Sequence, residues 1–460
     1  MLDPNLIGSR MEWTWGRGPL LNNQFPWHYP QPHSTAPVGA ADVWGSRQPL
    51  ALYLHTPFCR EKCDYCSYAT AAHQTESAIE RYVESLAREI GMCAQLPGLQ
   101  ASRVTSVYFG GGSPSLLSCA AIERLSGLVR QNFQVAPEAE ISIEMNPCDV
   151  EPGKLNVLRE CGFNRISVGV QSFTPDTLTA MRRAHDRQQA VEAIRTIREF
   201  GFSNVNLDLI YAYPGQTLED LDASVEQAIR LDPHRISCAS LSVFPNTELA
   251  YKLNHGLACL PAGETVAGMV DLLIDRFTQS GYNLDTVLCF AKPGTHFVQE
   301  EDVLLRGTAM VGMGLSSFSV IDGWIYANTG SFKEYYEAVG SGSLPIARGR
   351  PLDRRMRMEM SVIQGLRFLT IDRSAFRARF GVDVELVWGE KLERLGRAGL
   401  LTRTDLEYRL THEGVLCVGP IMREFYREPP VFHQTFQGKL APSARQRPAF
   451  AEAAAQEVLP

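Results

Sequence analysis

An α/β fold, built as an open or closed β/α barrel, is predicted by two observations. Short apolar, β-branched runs recur along the chain, and longer segments with a 3.6-residue apolar period separate them. Alternation of this kind implies parallel strands joined by right-handed crossovers, and a barrel satisfies such a sheet. Strands are expected at 50–54, 104–109, 141–145, 165–170, 205–210 and 235–243, and helices at 76–94, 120–132, 152–161, 188–200, 218–231 and 264–280. The run Ile166-Ser167-Val168-Gly169-Val170 reads as small or apolar on both faces, as in strands covered on both sides. In such barrels chemistry sits at the C-terminal strand ends.

The 460 residues allow one large core plus a smaller domain. A hydrophobic content of 45% and a charged content of 21% are ordinary for a soluble globular protein. The net charge of -7 argues against nucleic acid as the main partner. No basic region followed by an apolar run marks a secretory signal after Met1, and no segment approaches the roughly 20 apolar residues of a membrane span. Of 11 cysteines, those outside positions 59–66 are scattered, which argues for a reducing cytoplasm and for small buried hydrophobes. Residues 1–48 carry Trp13, Trp15, Trp27 and Trp44 among several prolines, an arm expected to be extended and packed on the body.

The first strand leads into Tyr53-Leu54-His55-Thr56-Pro57-Phe58-Cys59-Arg60-Glu61-Lys62-Cys63-Asp64-Tyr65-Cys66. Soft thiolates this close together at a strand end suit one iron–sulfur cluster or one zinc. Zinc is disfavoured because no second C-x-x-C and no H-x3-H follows. Three cysteines on a four-iron cluster leave one iron open. The C-x3-C-x2-C spacing resembles the radical S-adenosylmethionine (SAM) superfamily. The preceding Tyr-x-His-x-Pro-Phe-Cys is similar to the oxygen-independent coproporphyrinogen III oxidase family, which also holds haem chaperones and class C radical SAM methylases.

The other strand ends agree. After the second strand, Gly110-Gly111-Gly112-Ser113-Pro114-Ser115 is expected to offer backbone N–H groups to a ligand, with Ser115 capping the next helix. It resembles the family's Gly-Gly-Gly-Thr-Pro, a holder of the SAM methionyl group. The third strand ends in Glu144-Met145-Asn146-Pro147, similar to the family's Glu-Xaa-Asn-Pro. The fourth carries Gln171, followed by Arg183, whose guanidinium suits a carboxylate. The fifth buries Asp208 among apolar residues, so a partner is required, and a ribose diol is one. Its run resembles the family's Asp-Leu-Ile-Tyr-Gly-Leu-Pro-Gly-Gln-Thr, with Ala212 and Tyr213 in place of Gly and Leu, changes expected on the substrate side of the pocket. Ser242, at the end of the sixth strand, falls where the family resemblance implies a further SAM contact. Phe290-Ala291-Lys292-Pro293-Gly294 and the loop from Gly312 to Ser319 also resemble the family.

The resemblance implies a partial (β/α)6 radical SAM barrel at 49–300, a connecting segment lining the site at 301–350, and a C-terminal winged-helix-like α+β domain at 351–428. That last unit is expected to hold helices at 356–367, 373–379 and 385–398, short runs at 400–403 and 408–411, and a helix at 412–426. Its acidic residues, Glu385, Glu390, Glu393, Asp405, Glu407 and Glu413, give no basic stripe for DNA. A flexible tail is expected at 429–460. The resemblance further implies a [4Fe-4S] cluster on Cys59, Cys63 and Cys66, an electron donor such as flavodoxin or ferredoxin, and SAM cleavage to a 5′-deoxyadenosyl radical. On the family pattern, the cluster-bound SAM is held by Tyr65, Gly112, Ser113, Gln171, Arg183 and Asp208, and a second SAM by Tyr53, Gly111, Glu144 and Phe318. The oxidases usually carry a further cysteine where this chain has Tyr68. Methylation or cyclopropanation of an sp2 carbon by two SAM molecules is therefore the expected activity, with the oxidase and the haem chaperone as alternatives. The expected substrate is an unsaturated, aromatic or tetrapyrrole small molecule, and the expected state a monomer.

Overall fold

The structure is a computed structural model that describes residues 37–38, 49–96, 98–321 and 323–427. The tryptophan-rich arm, apart from Pro37 and Val38, and the tail lie outside the described residues; Val38 packs against the core.

The chain begins with β1 (Leu50–Thr56), the short β2 (Phe58–Cys59) and β3 (Ala71–Ala72), and α1 (Glu76–Ala94). It continues through β4 (Arg103–Gly111), α2 (Cys119–Asn132), β5 (Gln134–Met145), α3 (Pro152–Glu160) and β6 (Arg165–Gln171). Next come α4 (Pro175–Ala180), α5 (Arg187–Glu199), β7 (Val205–Tyr211), α6 (Leu218–Leu231) and β8 (Arg235–Ser240). Strands β1, β4, β5, β6, β7 and β8 pair in that order, all parallel. The helices start where the chain supplies caps. The Thr75 hydroxyl accepts from the Ala78 N–H at α1, and Asp186 with Gln189 and Thr217 with Asp220 form capping boxes at α5 and α6.

After α7 (Glu248–Asn254) and α8 (Gly263–Gln279), β9 (Asn283–Thr286) and β10 (Cys289–Ala291) add to β8 as antiparallel strands. The sixth strand thus ends at Ser240, three residues before the expected boundary. Residues 301–350 contain β11 (Ala309–Met313), β12 (Phe318–Ile321), β13 (Trp324–Asn328), α9 (Phe332–Gly340) and the start of β14 (Ile346–Pro351). Strand β11 pairs in parallel with β1, and β12, β13 and β14 follow antiparallel, giving one 12-stranded sheet with β14 and β9 at its ends. Among the described residues neither end pairs with the other, so the barrel they form is open.

The two faces of the parallel strands differ. Leu52, Phe109, Ile143, Val168, Leu207 and Ile236 turn outward under the helices and belong to one core cluster. The alternate positions turn inward and are polar. Tyr108, Glu144, Ser167, Asn206, Asp208 and Ser237 meet one another across the lumen through hydrogen bonds. The run Ile166–Val170 is covered on both sides as expected, and its small residues Ser167 and Gly169 are the ones that face the polar interior. At the N-terminal end of the barrel, Phe297 packs 3.8 Å from the Arg165 guanidinium carbon, and Glu140 accepts from the Val298 and Gln299 N–H groups.

The C-terminal unit comprises α10 (Arg354–Arg367), β15 (Thr370–Asp372), α11 (Arg373–Phe380), α12 (Val384–Arg397), β16 (Leu401–Arg403), β17 (Glu407–Leu410), α13 (His412–Leu416) and α14 (Val418–Arg423). Its three strands form an antiparallel sheet with β17 central. The expected last helix is two, broken at Cys417. Arg367 pairs with Glu300, and His412 Nε2 lies 3.0 Å from Asp271 Oδ1, tying the unit to the barrel. No described helix is long and apolar enough to cross a membrane.

Candidate active site

The cysteine loop runs from the end of β1 and is closed by the parallel pairing of β2 with β3 and a 2.7 Å bond from the Ala71 N–H to the Pro57 carbonyl. Cys59, Cys63 and Cys66 are free, half-buried thiols on this one loop. Burial pushes the Cys59 thiol up to about 11 and raises Cys66 as well, so ligation of a metal must displace their protons. Of the scattered cysteines, Cys93, Cys238 and Cys417 are buried as expected, whereas Cys259 is exposed.

The glycine loop works differently from the expectation. The Gly111 N–H donates to Glu144 Oε2 (3.1 Å), that of Gly112 to the Thr56 carbonyl and that of Ser113 to the Phe58 carbonyl (both 2.7 Å). Three donors expected for a ligand are thus spent on the protein, two of them clamping the cysteine loop. The glycines serve close approach instead. Gly111 has φ +116, and a Cβ on Gly112 would lie 2.5 Å from the Phe58 carbonyl oxygen and 3.0 Å from Cys59 Sγ. Gly112→Ala is therefore expected to displace the loop, costing about 2 kcal/mol in thermal unfolding and lowering iron uptake on reconstitution.

Ser115 does not cap a helix; Ser118 caps α2. The Ser115 hydroxyl instead donates to Asp149 Oδ2 (2.8 Å), whose other oxygen accepts from Arg60 Nε (2.6 Å), and accepts from the Asn146 N–H (3.1 Å). Asp149 thereby knits the cysteine loop, the glycine loop and the β5 end together. Sequence reasoning missed it because it lies just past the Glu144–Pro147 motif with no repeat or spacing to mark it.

Glu144 sits at the β5 end with the Tyr108 hydroxyl 2.8 Å away, and burial raises its carboxyl to about 7. Tyr53 stacks on Tyr108 (6.0 Å between centroids) and lies 3.0 Å from His55 Nδ1. His55 is buried and neutral, burial lowering it to about 4. Asp208 has the partners its burial demands within the protein, Ser167 Oγ (3.0 Å) and Asn206 Nδ2 (2.7 Å). Burial raises its carboxyl.

Arg183 Nη1 donates to Cys63 Sγ (3.0 Å), and its Nη2 to the Gly169 carbonyl (2.5 Å). Among the clustered arginine candidates, this one faces the cysteines; Arg182 pairs with Glu248 at the surface. Gln171 adopts φ +71 at the end of β6, where a bulge follows Gly169. Tyr65 packs on the cluster of Met181, Ile210 and Tyr213. Phe318, 37% exposed, begins β12 beside Gly312, the register partner of Tyr53. Ser242 is not brought to a strand end; it is half-buried, two residues beyond β8. Tyr213, which replaces the family's leucine, reaches the cysteine loop. Its hydroxyl donates to Asp64 of the cysteine loop (2.7 Å) and lies 2.8 Å from the Ala180 carbonyl.

The donor set fits an iron–sulfur cluster. Three thiols share one loop, and a guanidinium stands against one of them. No group of three His, Cys, Asp or Glu among the described residues converges on a single ion. A cluster asks for no such convergence, since each thiolate takes its own iron.

A model of the radical SAM superfamily matches residues 53–228, and one of the HemN C-terminal domain matches residues 352–417. The chain is 30% identical over 386 residues to the oxygen-independent coproporphyrinogen III oxidase of Salmonella typhimurium, spanning 81% of this chain and 84% of that protein. It is 27% identical over 380 residues to the haem chaperone HemW of Bacillus subtilis, spanning 82% of this chain and 99% of that one. The solved structure of coproporphyrinogen III oxidase (HemN) from Escherichia coli, a radical SAM enzyme, matches with a TM-score of 0.73 at 27% identity, covering 87% of this chain and 99% of the other. Superfamily membership implies a [4Fe-4S] cluster and SAM. With both of its domains matched and a relative of this identity covered over most of its length, the chain belongs to the oxygen-independent coproporphyrinogen III oxidase family of the radical SAM superfamily.

Proposed function

We propose that the chain removes a hydrogen atom from a tetrapyrrole-type substrate in an oxidase-like reaction. The relatives named above are oxidases and a chaperone and none is a methylase, so the expected methyl transfer gives way to the alternative held beside it. The observation that carries the reading is the polar lumen, in which Tyr108 of β4, Glu144 of β5 and Asp208 of β7 share one parallel sheet with β1, which leads into the cysteine loop. When bound, the cluster and SAM supply one-electron reductive cleavage and a radical able to take hydrogen.

The protein's own groups have separate tasks. Cys59, Cys63 and Cys66 would hold the cluster, and Arg183 presents a fixed cation beside it for a methionyl carboxylate. Glu144, poised near neutrality, holds or yields a proton at Oε1 or Oε2 facing the lumen, and the stacked rings of Tyr53 and Tyr108 exclude water on one side. A small redox protein such as flavodoxin or ferredoxin is the proposed electron donor, and a cytoplasmic monomer the proposed state.

Haem chaperoning is the second reading. Tyr68 occupies the position of the oxidases' further cysteine, and the chaperone match spans 99% of that relative. Anaerobically reconstituted protein given SAM, dithionite and coproporphyrinogen III is expected to form 5′-deoxyadenosine and a decarboxylated porphyrinogen. Stoichiometric haem binding without turnover would replace this reading with the chaperone, and S-adenosylhomocysteine with a methylated product would restore methyl transfer.

A further inference from the structure

Between Cys63 and Tyr65 lies Asp64, 2% exposed, with its side chain fully shielded. A carboxylate so placed is costly unless paired and hydrogen-bonded. Its Oδ2 accepts from the Tyr213 hydroxyl (2.7 Å) and from Lys252 Nζ (2.9 Å), and its backbone carbonyl accepts from the Leu249 N–H (2.9 Å). Both side-chain donors come from outside the loop: Tyr213 follows β7, and Lys252 rides on α7. Lys252 also lies 3.4 Å from Glu248, which pairs with Arg182, the residue before the arginine that meets Cys63. Cys63 is thus held on one side by Arg183 and on the other through its neighbour Asp64.

Resting on the reading of the three cysteines as cluster ligands, we infer that Asp64, Tyr213 and Lys252 are positioning residues that fix Cys63 and set the reduction potential of the centre it helps to hold. The loop places one anion next to a ligand, and α7 supplies the cation that offsets it. Net charge, hydrogen bonding and solvent access near a cluster set its potential. Removing the cation leaves an uncompensated anion that favours the oxidised centre; removing the anion does the reverse. Tyr213, standing where the family run has leucine, adds a hydroxyl that stabilises the same carboxylate.

The test is redox titration, followed by electron paramagnetic resonance, of the full-length reconstituted protein and its variants. Lys252→Met is expected to move the midpoint negative, Asp64→Asn to move it positive, and Tyr213→Phe to follow Lys252→Met by a smaller shift. Lys252→Arg is expected to restore the wild-type value. Lys252 is partly exposed, with 29% of its side chain accessible, so the methionine variant carries the test alone if the Asp64 variant does not fold. Unchanged midpoints, or shifts of one sign in Lys252→Met and Asp64→Asn, overturn the inference while leaving the cluster reading intact. A wild-type protein that takes up no iron and sulfide overturns both.

Discussion

Cys63→Ala is expected to reduce 5′-deoxyadenosine formation to the level of a protein-free control and to leave the reconstituted protein without a four-iron signal. A three-thiolate site has no spare ligand, and no other cysteine lies on the loop. Cys148, the cysteine on the neighbouring strand end, already bonds to Asn146 Oδ1 (3.1 Å), and burial raises its thiol. The substitution also strips Arg183 of its partner at Cys63 Sγ, leaving a half-buried guanidinium to the Gly169 carbonyl alone. Iron and sulfide analysis beside the product assay separates loss of the centre from loss of chemistry. Cys259→Ala, at an exposed position outside the loop, is the control expected to retain full iron content.

The second large effect is on stability. Glu89, 1% exposed on α1, accepts from the Tyr335 hydroxyl (2.6 Å), the Asn328 amide (2.7 Å) and the Gly314 N–H (2.9 Å). It binds α1 to α9, β13 and the loop after β11 in one place. Glu89→Ala removes an acceptor from three buried donors, leaving the Asn328 amide only its bond to the Gly314 carbonyl (2.9 Å), and is expected to cost about 4 kcal/mol, measured by chemical denaturation. Burial raises this carboxyl to about 7, against hydrogen bonds that pull it down. Its unfolded value lies near 4.3, so the fold favours the protonated form. The resulting stability is complete below about pH 4 and is lost as pH rises through 7, by about 4 kcal/mol for this group. Glu144, also near 7, adds a parallel slope, so Glu89→Gln is expected to remove the part of the pH dependence due to Glu89 and leave that of Glu144.

Much of the barrel was legible because its strands and helices are long enough for periodicity to speak. The helix at 76–94 emerges with those same bounds, since Thr75 caps a strongly amphipathic segment. The strands from β9 to β13 were not legible. They run three to five residues and exist only because β1 and β8 offer edges to pair with, a fact no local window contains. At the site, the cysteine spacing and the glycine run identified the right loops, but not what the N–H groups of Gly112 and Ser113 bind, because those partners are backbone carbonyls 56 and 55 positions earlier in the chain. Asp149, Asp64 and Glu89 were invisible for a related reason. A single acidic residue reads as solvated surface until distant segments bury it.

The sheet's two ends, Ile346–Pro351 and Asn283–Thr286, are joined by no ladder among the described residues. Spreading that seam breaks no backbone ladder, whereas spreading any of the parallel neighbours does and shifts register. The strands carrying the thiols and the glycine clamp are thereby held at a fixed mutual spacing by the ladder between Leu50–Thr56 and Val104–Gly111.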